Sequence, residues 1–293
     1  GANDGIPCRI SGASMKIAVL SGKGGTGKTF IAVNLVAASS KATYIDCDVE
    51  EPNGRLFLKP QNLQSQTVNT LLPVFDADKC TECRNCVDFC QFNALAFIKN
   101  KPLVFSEICH SCGGCALVCP SGAISECKRP IGTIEYGTRG EVRVVTGILN
   151  LGEASGIPVI KAALSKSGTS DELTIIDCPP GSACSVMESV NSADYCILVA
   201  EPTAFGLHNL KMVYNLVHLL HKPCGIIINK VEETYTPIDE FCNEQGLDIL
   251  YRIPYRKKFA QIGAEAKLIC EQDSETATLF WKLLSLLKAT VYK

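Results

Sequence analysis

Short runs of apolar, often β-branched residues recur along this chain, and each is bounded by turn residues. Unbroken apolar runs of this kind are typical of strands that are buried on both faces of a parallel sheet. They predict strands at Lys16–Leu20, Thr43–Asp46, Val142–Thr146, Leu173–Asp177, Tyr195–Ala200, Gly225–Asn229 and Ile249–Ile253.

Helical periodicity separates several of these strands. Apolar residues return at three- and four-residue spacing in Thr29–Ser40 and in Leu207–His221, which predicts amphipathic helices there. Because strands that alternate with helices form parallel sheets with helices on both faces, we expect a doubly wound, mostly parallel α/β sheet.

The strand and helix rhythm stops between about Asp76 and Arg129, where cysteines and tight turns replace it. The predicted organisation is therefore one α/β domain, in two parts at residues 15–75 and 130–293, with a small α+β domain inserted at residues 76–129. Residues 1–14 precede the first strand and are expected to be an expression scar or a disordered arm.

Composition narrows the class of protein. Of the 293 residues, 46% are hydrophobic and 20% charged, which suits a globular protein with a large core. The formal net charge of -2 provides no positive field for polyanions, so we expect no nucleic-acid partner. No apolar run approaches the ~18 residues of a membrane span, so we expect a cytoplasmic protein without a membrane partner.

Seventeen cysteines are many for a cytoplasmic chain, in which metal ligation is the usual reason for clustered thiols. Eight of them form the pattern Cys-x-x-Cys-x-x-Cys-x-x-x-Cys twice within the insert. Zinc sites favour separated Cys-x-x-Cys pairs, whereas triplets ending in a fourth, more distant cysteine resemble two-cluster bacterial ferredoxins. The prediction is two [4Fe–4S] clusters, one held by Cys80, Cys83, Cys86 and Cys119 and the other by Cys109, Cys112, Cys115 and Cys90.

A glycine-rich segment lies between the first predicted strand and the first predicted helix, and this context is the one that a P-loop requires. Its backbone N–H groups and the helix N-terminus suit phosphate oxygens, so ATP or ADP is the expected ligand. Lys28 is expected to neutralise phosphates and Thr29 to bind Mg²⁺ through its hydroxyl. The candidate nucleotide-binding residues of this loop are Gly22, Lys23, Gly24, Gly25, Thr26, Gly27, Lys28 and Thr29.

The second lysine of this loop, Lys23, resembles the signature of the MinD/ParA family of deviant Walker ATPases, which includes the nitrogenase iron protein and Mrp-type iron–sulfur carriers. The resemblance implies a homodimer in which Lys23 reaches the partner's nucleotide. It further implies the following roles: Asp48 positions the attacking water, Asp46 and Asp177 support Mg²⁺, the Gly181 N–H senses the γ-phosphate, and Asn229 and Pro254 flank the adenine.

These features together favour a dimeric ATPase that couples its nucleotide state to electron transfer toward a protein redox partner. Two other functions stay open: a carrier that delivers clusters to an acceptor protein, and a ParA-like positional switch that uses its clusters as a redox sensor. A carrier needs a labile site, for which Cys184 is the nearest candidate. Cys184 resembles one of the two cysteines with which the dimeric nitrogenase iron protein bridges a cluster. The region that should supply the other, Gly152–Gly156, contains no cysteine, so we expect Cys184 to be a buried thiol instead.

The remaining predictions concern packing. We expect a last helix that packs on the sheet through an apolar stripe of Phe280, Leu283, Leu284 and Leu287. The apolar residues off this stripe, Trp281 and Leu286, favour packing on the sheet over a helix that lies on a membrane. Among the cysteines outside the repeat, those expected to be small packing residues are Cys127, Cys196, Cys224, Cys242 and Cys270.

Overall fold

The computed structural model describes residues 14–99, 101–167, 173–233 and 235–291, so the expected N-terminal arm lies outside the described residues except for Ser14. The strands, in chain order, are β1 (Met15–Leu20), β2 (Ala42–Asp46), β3 (Gln61–Phe75), β4 (Leu95–Ile98), β5 (Lys101–Val104), β6 (Ile124–Arg139), β7 (Val142–Leu149), β8 (Leu173–Asp177), β9 (Tyr195–Ala200), β10 (Cys224–Val231) and β11 (Ile249–Pro254). The helices are α1 (Lys28–Ala37), α2 (Gly54–Leu58), α3 (Asn85–Phe89), α4 (Gly114–Leu117), α5 (Ile157–Leu164), α6 (Cys184–Asn191), α7 (Ala204–Leu219), α8 (Thr236–Gln245), α9 (Lys257–Ala264), α10 (Ile269–Gln272) and α11 (Ser274–Val291).

In the described part of the chain, nine strands form one sheet in the order β11-β10-β9-β1-β8-β2-β7-β6-β3. The strands from β11 to β7 are parallel, and β6 and β3 continue the sheet in antiparallel pairing. Helices α1 and α11 pack on one face, and α5 to α8 pack on the other. The mostly parallel, doubly wound sheet predicted from the sequence is confirmed.

The seven predicted strands and both predicted helices are present, with small differences at their ends. Strand β7 extends to Leu149 rather than Thr146, and α1 begins one residue early, at Lys28. The long strands β3 and β6 were not predicted. In β3, the exposed residues 61–67 carry mostly amide and hydroxyl side chains, so neither an apolar run nor a buried face indicates a strand.

Strands β3 and β6 connect the insert to the sheet. The part of β6 from Gly132 to Arg139 pairs with β7, whereas residues 124–130 pair with residues 69–75 of β3. We call these two paired segments the ribbon. Residues 76–123, which contain the eight clustered cysteines, lie between its ends, and the predicted domain boundary at Arg129 falls inside β6.

The last helix, α11, packs through its predicted stripe, because Phe280, Leu283, Leu284 and Leu287 are all buried against the α1 face of the sheet. The off-stripe residues Trp281 and Leu286 are 60% and 46% exposed. At 3.6 residues per turn these two positions point away from the stripe. No helix in the described residues is long and apolar enough to span a membrane.

Candidate nucleotide site and cysteine insert

The loop between β1 and α1 needs glycine at two positions for different reasons. Gly27, directly before α1, has φ = 104°, and a Cβ there would lie 2.2 Å from Asn229 Nδ2. A Cβ on Gly22 would lie 2.5 Å from the carbonyl oxygen of Asn209 on α7. The backbone conformation at Gly27 is one that L-residues rarely adopt, and the close packing at Gly22 leaves no space for a side chain.

The loop borders a cleft of about 840 Å³. Its lining includes Gly24, Gly25, Gly27, Lys28, Thr29, Asp48, Glu50, Asn53, Gly156, Pro179 and Pro180. The cleft therefore brings together the glycine-rich loop, the segment after β2 and the segment after β8, as the sequence predicted. The Lys28 side chain is buried, and its Nζ lies 3.7 Å from Asp48 Oδ2.

The ionisation of Asp48 reflects its position in this cleft. Burial raises the pKa of Asp48 to about 6, while the Lys28 ammonium lowers it and the carboxylate of Asp177 raises it further. The carboxylate is thus partly shielded from solvent and lies close to the loop lysine. This is a suitable position for a group that accepts a hydrogen bond from a water molecule in the cleft.

Tyr44 connects the two other predicted carboxylates. Its hydroxyl lies 2.9 Å from Asp177 Oδ2 and 3.4 Å from Asp46 Oδ2, and all three side chains are buried. Asp46 also accepts the N–H groups of Gly54 (3.0 Å) and Asp48 (3.2 Å). In contrast, Asp177 Oδ1 is buried without a hydrogen-bond partner among the described residues.

These carboxylates fit a Mg²⁺ ion. Burial and mutual repulsion raise the pKa of Asp46, and burial raises the pKa of Asp177, as expected for two carboxylates placed together away from water. A cation would offset that cost, and the unpartnered Asp177 Oδ1 provides an oxygen for it. Thr29 and Asp177 would hold the ion, directly or through water, while Asp46, whose oxygens already accept hydrogen bonds, supports the group from behind.

Lys23 does not line the cleft. Its Nζ lies 2.6 Å from Glu201 Oε2 and 5.3 Å from the centre of the Phe205 ring. The other oxygen of Glu201 pairs with Lys230 Nζ at 2.6 Å, and Lys230 also donates to the carbonyl of Gly25. The Glu201 carboxylate thus pairs with both lysines outside the cleft.

The remaining predicted nucleotide residues lie apart from the cleft lining. The Gly181 N–H, predicted to sense a γ-phosphate, donates to the carbonyl of Ser21 at 2.9 Å. Asn229 is buried under the loop and its Nδ2 donates to the Thr26 carbonyl at 2.8 Å, so this amide supports the loop backbone. Pro254 is exposed at the end of β11.

The eight clustered cysteines line two separate cavities in the insert. One cavity is bordered by Cys80, Cys83, Cys86 and Cys119 together with Phe75, Arg84 and Phe97. The other is bordered by Cys90, Cys109, Cys112 and Cys115 together with Phe89, Phe92 and His110. In each cavity the fourth thiol comes from the other repeat, which is the crossed grouping that the spacing predicts.

Polar and aromatic groups surround these thiols. The Ala123 N–H lies 3.3 Å from Cys119 Sγ, and the Ser121 hydroxyl lies 3.6 Å from it; the Ser121 contact lowers the pKa of this thiol. The His110 ring stacks on Phe92 with 3.9 Å between ring centres. Across the described residues, no three His, Cys, Asp or Glu side chains are placed to hold a single metal ion, although four thiols line each cavity.

Two expectations for cysteines outside the repeats were wrong. Cys184, expected to be a buried thiol, is exposed at the first residue of α6, and Cys127, expected to pack, is exposed on β6. Cys196 and Cys242 are buried as expected, while Cys224 and Cys270 are partly buried. Cys127 lies on the ribbon, where β6 pairs with β3 away from the core.

The loop, the cleft and the paired carboxylates define a P-loop nucleotide-binding protein. The family model of the CobQ/CobB/MinD/ParA nucleotide binding domain matches residues 17–269. The chain belongs to this family and is a P-loop ATPase of the MinD/ParA type.

Sequence relatives match either nearly the whole chain or only a short part of it. An uncharacterised protein of Methanocaldococcus jannaschii is 30% identical over 94% of this chain and 98% of its own length. An iron-sulfur cluster carrier protein of Pyrococcus horikoshii is 57% identical over 13% of this chain and 14% of its own. A ferredoxin of M. jannaschii is 38% identical over 18% of this chain and 34% of its own.

Solved structures show the same fold. The septum site-determining protein MinD of Pyrococcus horikoshii, complexed with Mg-ADP, superposes with a TM-score of 0.56 at 19% identity, covering 94% of this chain and 96% of that one. The sheet and its helices are therefore those of a MinD-like P-loop protein.

Sequence reasoning missed three features of the site. Tyr44, two residues before Asp46 on a buried strand, carries a hydroxyl that needs a partner, which is a usable signal. The other two features are the pairing of Glu201 with Lys23 and an ion pair between Arg129 and Glu153, and nothing in the local sequence indicates either of them. Their partners are distant in the sequence and meet only in the folded chain.

Proposed function

We propose that this ATPase couples its nucleotide state to electron transfer through two [4Fe–4S] clusters held by the insert. The observation that supports this most strongly is the crossed grouping of eight thiols into two four-cysteine cavities. Every proposed cluster ligand lies within the insert, and such a ligand set suits a resident electron carrier better than a transferable cargo.

The nucleotide cleft supplies the ATPase half of the proposal. Lys28 binds phosphate oxygens, Thr29 and Asp177 hold Mg²⁺, and Asp48 orients the water that attacks the γ-phosphate, giving ADP and phosphate. Lys23, held beside the loop by Glu201, is available to contact the nucleotide of a second copy in a homodimer. Members of this family commonly form dimers.

The clusters supply one-electron chemistry when bound. With clusters held by the eight thiols, the insert would accept one electron from a donor protein and pass one electron to an acceptor protein, so the redox state of the chain would be unchanged after one cycle. The role of nucleotide is to select the conformation in which the insert meets its partner, which needs only a few kcal/mol of differential affinity.

The test is anaerobic reconstitution of the full chain, followed by EPR of the reduced clusters with ADP or with a non-hydrolysable ATP analogue. We expect nucleotide-dependent changes in the cluster signals and in the rate of electron transfer to a one-electron acceptor. Lys28→Ala is the matched control: it should abolish both responses and leave the cluster absorbance intact, because Lys28 lies in the cleft and not in the insert. Cluster signals that are identical with both nucleotides contradict the proposal.

A second function, delivery of clusters to an acceptor protein, is favoured by one observation. Cys184 is exposed at the start of α6, next to Ala183 and Ser185, which line the nucleotide cleft. Iron and sulfide transfer to an apo-protein that is lost in Cys184→Ala, and retained in Cys83→Ala, identifies a carrier. Transfer that is insensitive to Cys184→Ala contradicts this second function.

A further inference from the structure

An ion pair connects the base of the ribbon to a loop of the nucleotide-binding sheet. Arg129 lies on β6, and its Nη1 and Nη2 donate to the two carboxylate oxygens of Glu153 at 2.7 and 2.5 Å. The Glu153 side chain is only 9% exposed. Paired donation of this kind fixes the direction as well as the distance of the contact.

The Glu153 loop, which we define as residues 150–156 between β7 and α5, also contacts both neighbouring structures through its backbone. On β6, one residue past the ribbon, the Asn150 N–H donates to the Ile131 carbonyl at 2.9 Å. At the cleft, the Leu149 N–H just before the loop donates to the carbonyl of Val49, the residue after Asp48, at 2.9 Å. A displacement of the segment after β2 therefore acts directly on this loop.

The other end of the Glu153 loop reaches the nucleotide cleft itself. Gly156 lines the cleft, and a Cβ there would lie 2.7 Å from Val49 Cγ2. Val49 is thus in close contact with Gly156 at the end of the loop and bonded to Leu149 directly before its start, so a shift of the segment after β2 acts on both ends of the loop.

On the insert side, Arg129 lies on β6 three residues after Glu126, which lines the second cysteine cavity. Its partner on β3 is Thr70, which directly precedes Leu71, another residue of that lining. The Glu153 hydrogen bonds raise the pKa of Arg129, and the charges of Cys109 and Glu107 raise it further. Arg129 Nε is buried without a hydrogen-bond partner among the described residues. The two bonds to Glu153 therefore fix the direction of this guanidinium on the strand that borders the cavity.

We propose that Arg129 and Glu153 are positioning residues that transmit the nucleotide state from the cleft to the cavity of Cys90, Cys109, Cys112 and Cys115. This inference rests on the proposed function, because it assumes that the insert responds to nucleotide. When the Glu153 loop moves with the segment after Asp48, the guanidinium moves with it. A cation that moves away from a cluster favours the more oxidised state, since it stabilises an added electron less.

The test measures hydrogen exchange of residues 76–123 in the full chain with ADP and with a non-hydrolysable ATP analogue. In the wild-type chain we expect the two nucleotides to differ by about fivefold or more in exchange rate, the lower end of typical coupling energies. Glu153→Gln should remove this difference while leaving nucleotide affinity unchanged. Arg129→Lys, which keeps the charge but loses the paired geometry, should also remove it.

Glu135→Gln is the matched control, because Glu135 lies on β6 like Arg129 and forms an ion pair of its own with Arg55, at 2.6 Å. This variant should keep the wild-type difference. In reconstituted protein, the midpoint potential of the second cluster should depend on nucleotide in the wild type and in Glu135→Gln, and not in Glu153→Gln.

The outcomes separate this inference from the function on which it rests. If the wild-type chain shows no difference between nucleotides, the proposed coupling of nucleotide and insert is itself wrong. If the wild type shows the difference and both Glu153→Gln and Arg129→Lys keep it, the ion pair does not transmit the signal. Loss of the difference in Glu135→Gln also overturns the proposal, because coupling is then spread over the sheet.

Discussion

A single buried hydroxyl organises the acidic end of the nucleotide cleft. Tyr44 donates toward two carboxylates of neighbouring strands, and burial, followed by the charges of Asp177 and Asp46, raises the pKa of this phenol well above its usual value. The hydroxyl thus stays protonated and bonds Asp177 Oδ2, while Oδ1 of the same carboxylate has no hydrogen-bond partner within the part of the chain that the structure describes. The tyrosine selects which carboxylate oxygen faces a cation.

The free oxygen of Asp177 leads to a prediction about magnesium. In Asp177→Asn, the gain in ATP affinity that Mg²⁺ gives the wild type should fall by about tenfold, or ~1.4 kcal/mol, because a neutral amide is a weak ligand for a hard cation. Titration of a fluorescent ATP analogue with Mg²⁺ or with EDTA measures this gain.

Asp48→Asn is the control for Asp177→Asn. Its carboxylate faces Lys28 at 3.7 Å rather than the Tyr44 hydroxyl, so the variant should keep the magnesium response and slow hydrolysis. An Asp177→Asn chain that responds to Mg²⁺ like the wild type would show that this carboxylate does not serve the ion.

At the scale of elements, α3 and α4 each begin inside one cysteine repeat and end just before its last cysteine. Cys119, after α4, lies in the cavity of the first repeat, and Cys90, after α3, lies in that of the second. Each short helix is therefore followed by a thiol that lines the cavity of the other repeat, so both repeats contribute to both cavities.

This crossing predicts the effect of removing one thiol. Cys119→Ser should lose the cluster of Cys80, Cys83 and Cys86 and retain the other, so that the iron content falls to about half. Iron and sulfide analysis with EPR of the reduced protein measures the loss. Cys127→Ser, which removes an exposed thiol eight positions later, should keep the full content; an equal loss in both variants would contradict the crossed ligand sets.

Strands and cleft residues differ in how well sequence predicts them. The parallel strands can be predicted from sequence because each is a local apolar run. The loop from Gly22 to Thr29 can be predicted because its residues follow a fixed pattern. Strand β3 cannot be predicted in this way, because residues 61–67 are exposed. Their strand conformation depends on pairing with β6, which follows in the sequence only after the whole insert. The adenine role of Asn229 stays a prediction, and its hydrogen bond to the Thr26 carbonyl has no local sequence signal, because the two residues are 203 positions apart.

For the whole molecule, the position of Lys23 predicts a separation of nucleotide binding from dimerisation. Its ammonium pairs with Glu201 outside the cleft, so Lys23→Ala should bind ATP with nearly wild-type affinity and yet fail to dimerise with a non-hydrolysable ATP analogue. Analytical ultracentrifugation with and without nucleotide measures this.

Lys211→Ala provides the comparison for Lys23→Ala, because Lys211 is a helix lysine that lies over the Phe241 ring, away from the loop. It should dimerise like the wild type. Nucleotide-dependent dimers of equal stability in Lys23→Ala and Lys211→Ala would show that Lys23 makes no contact across the interface.

The pairing of Phe75 with Ile124 places the entry and the exit of the insert side by side. For the nine-stranded sheet, the whole cysteine-rich segment therefore has the place of the turn in one long hairpin. The entropic cost of closing such a connection grows only slowly with its length. A segment of this length can therefore take the place of a hairpin turn while the pairing of the parallel strands around the cleft stays unchanged.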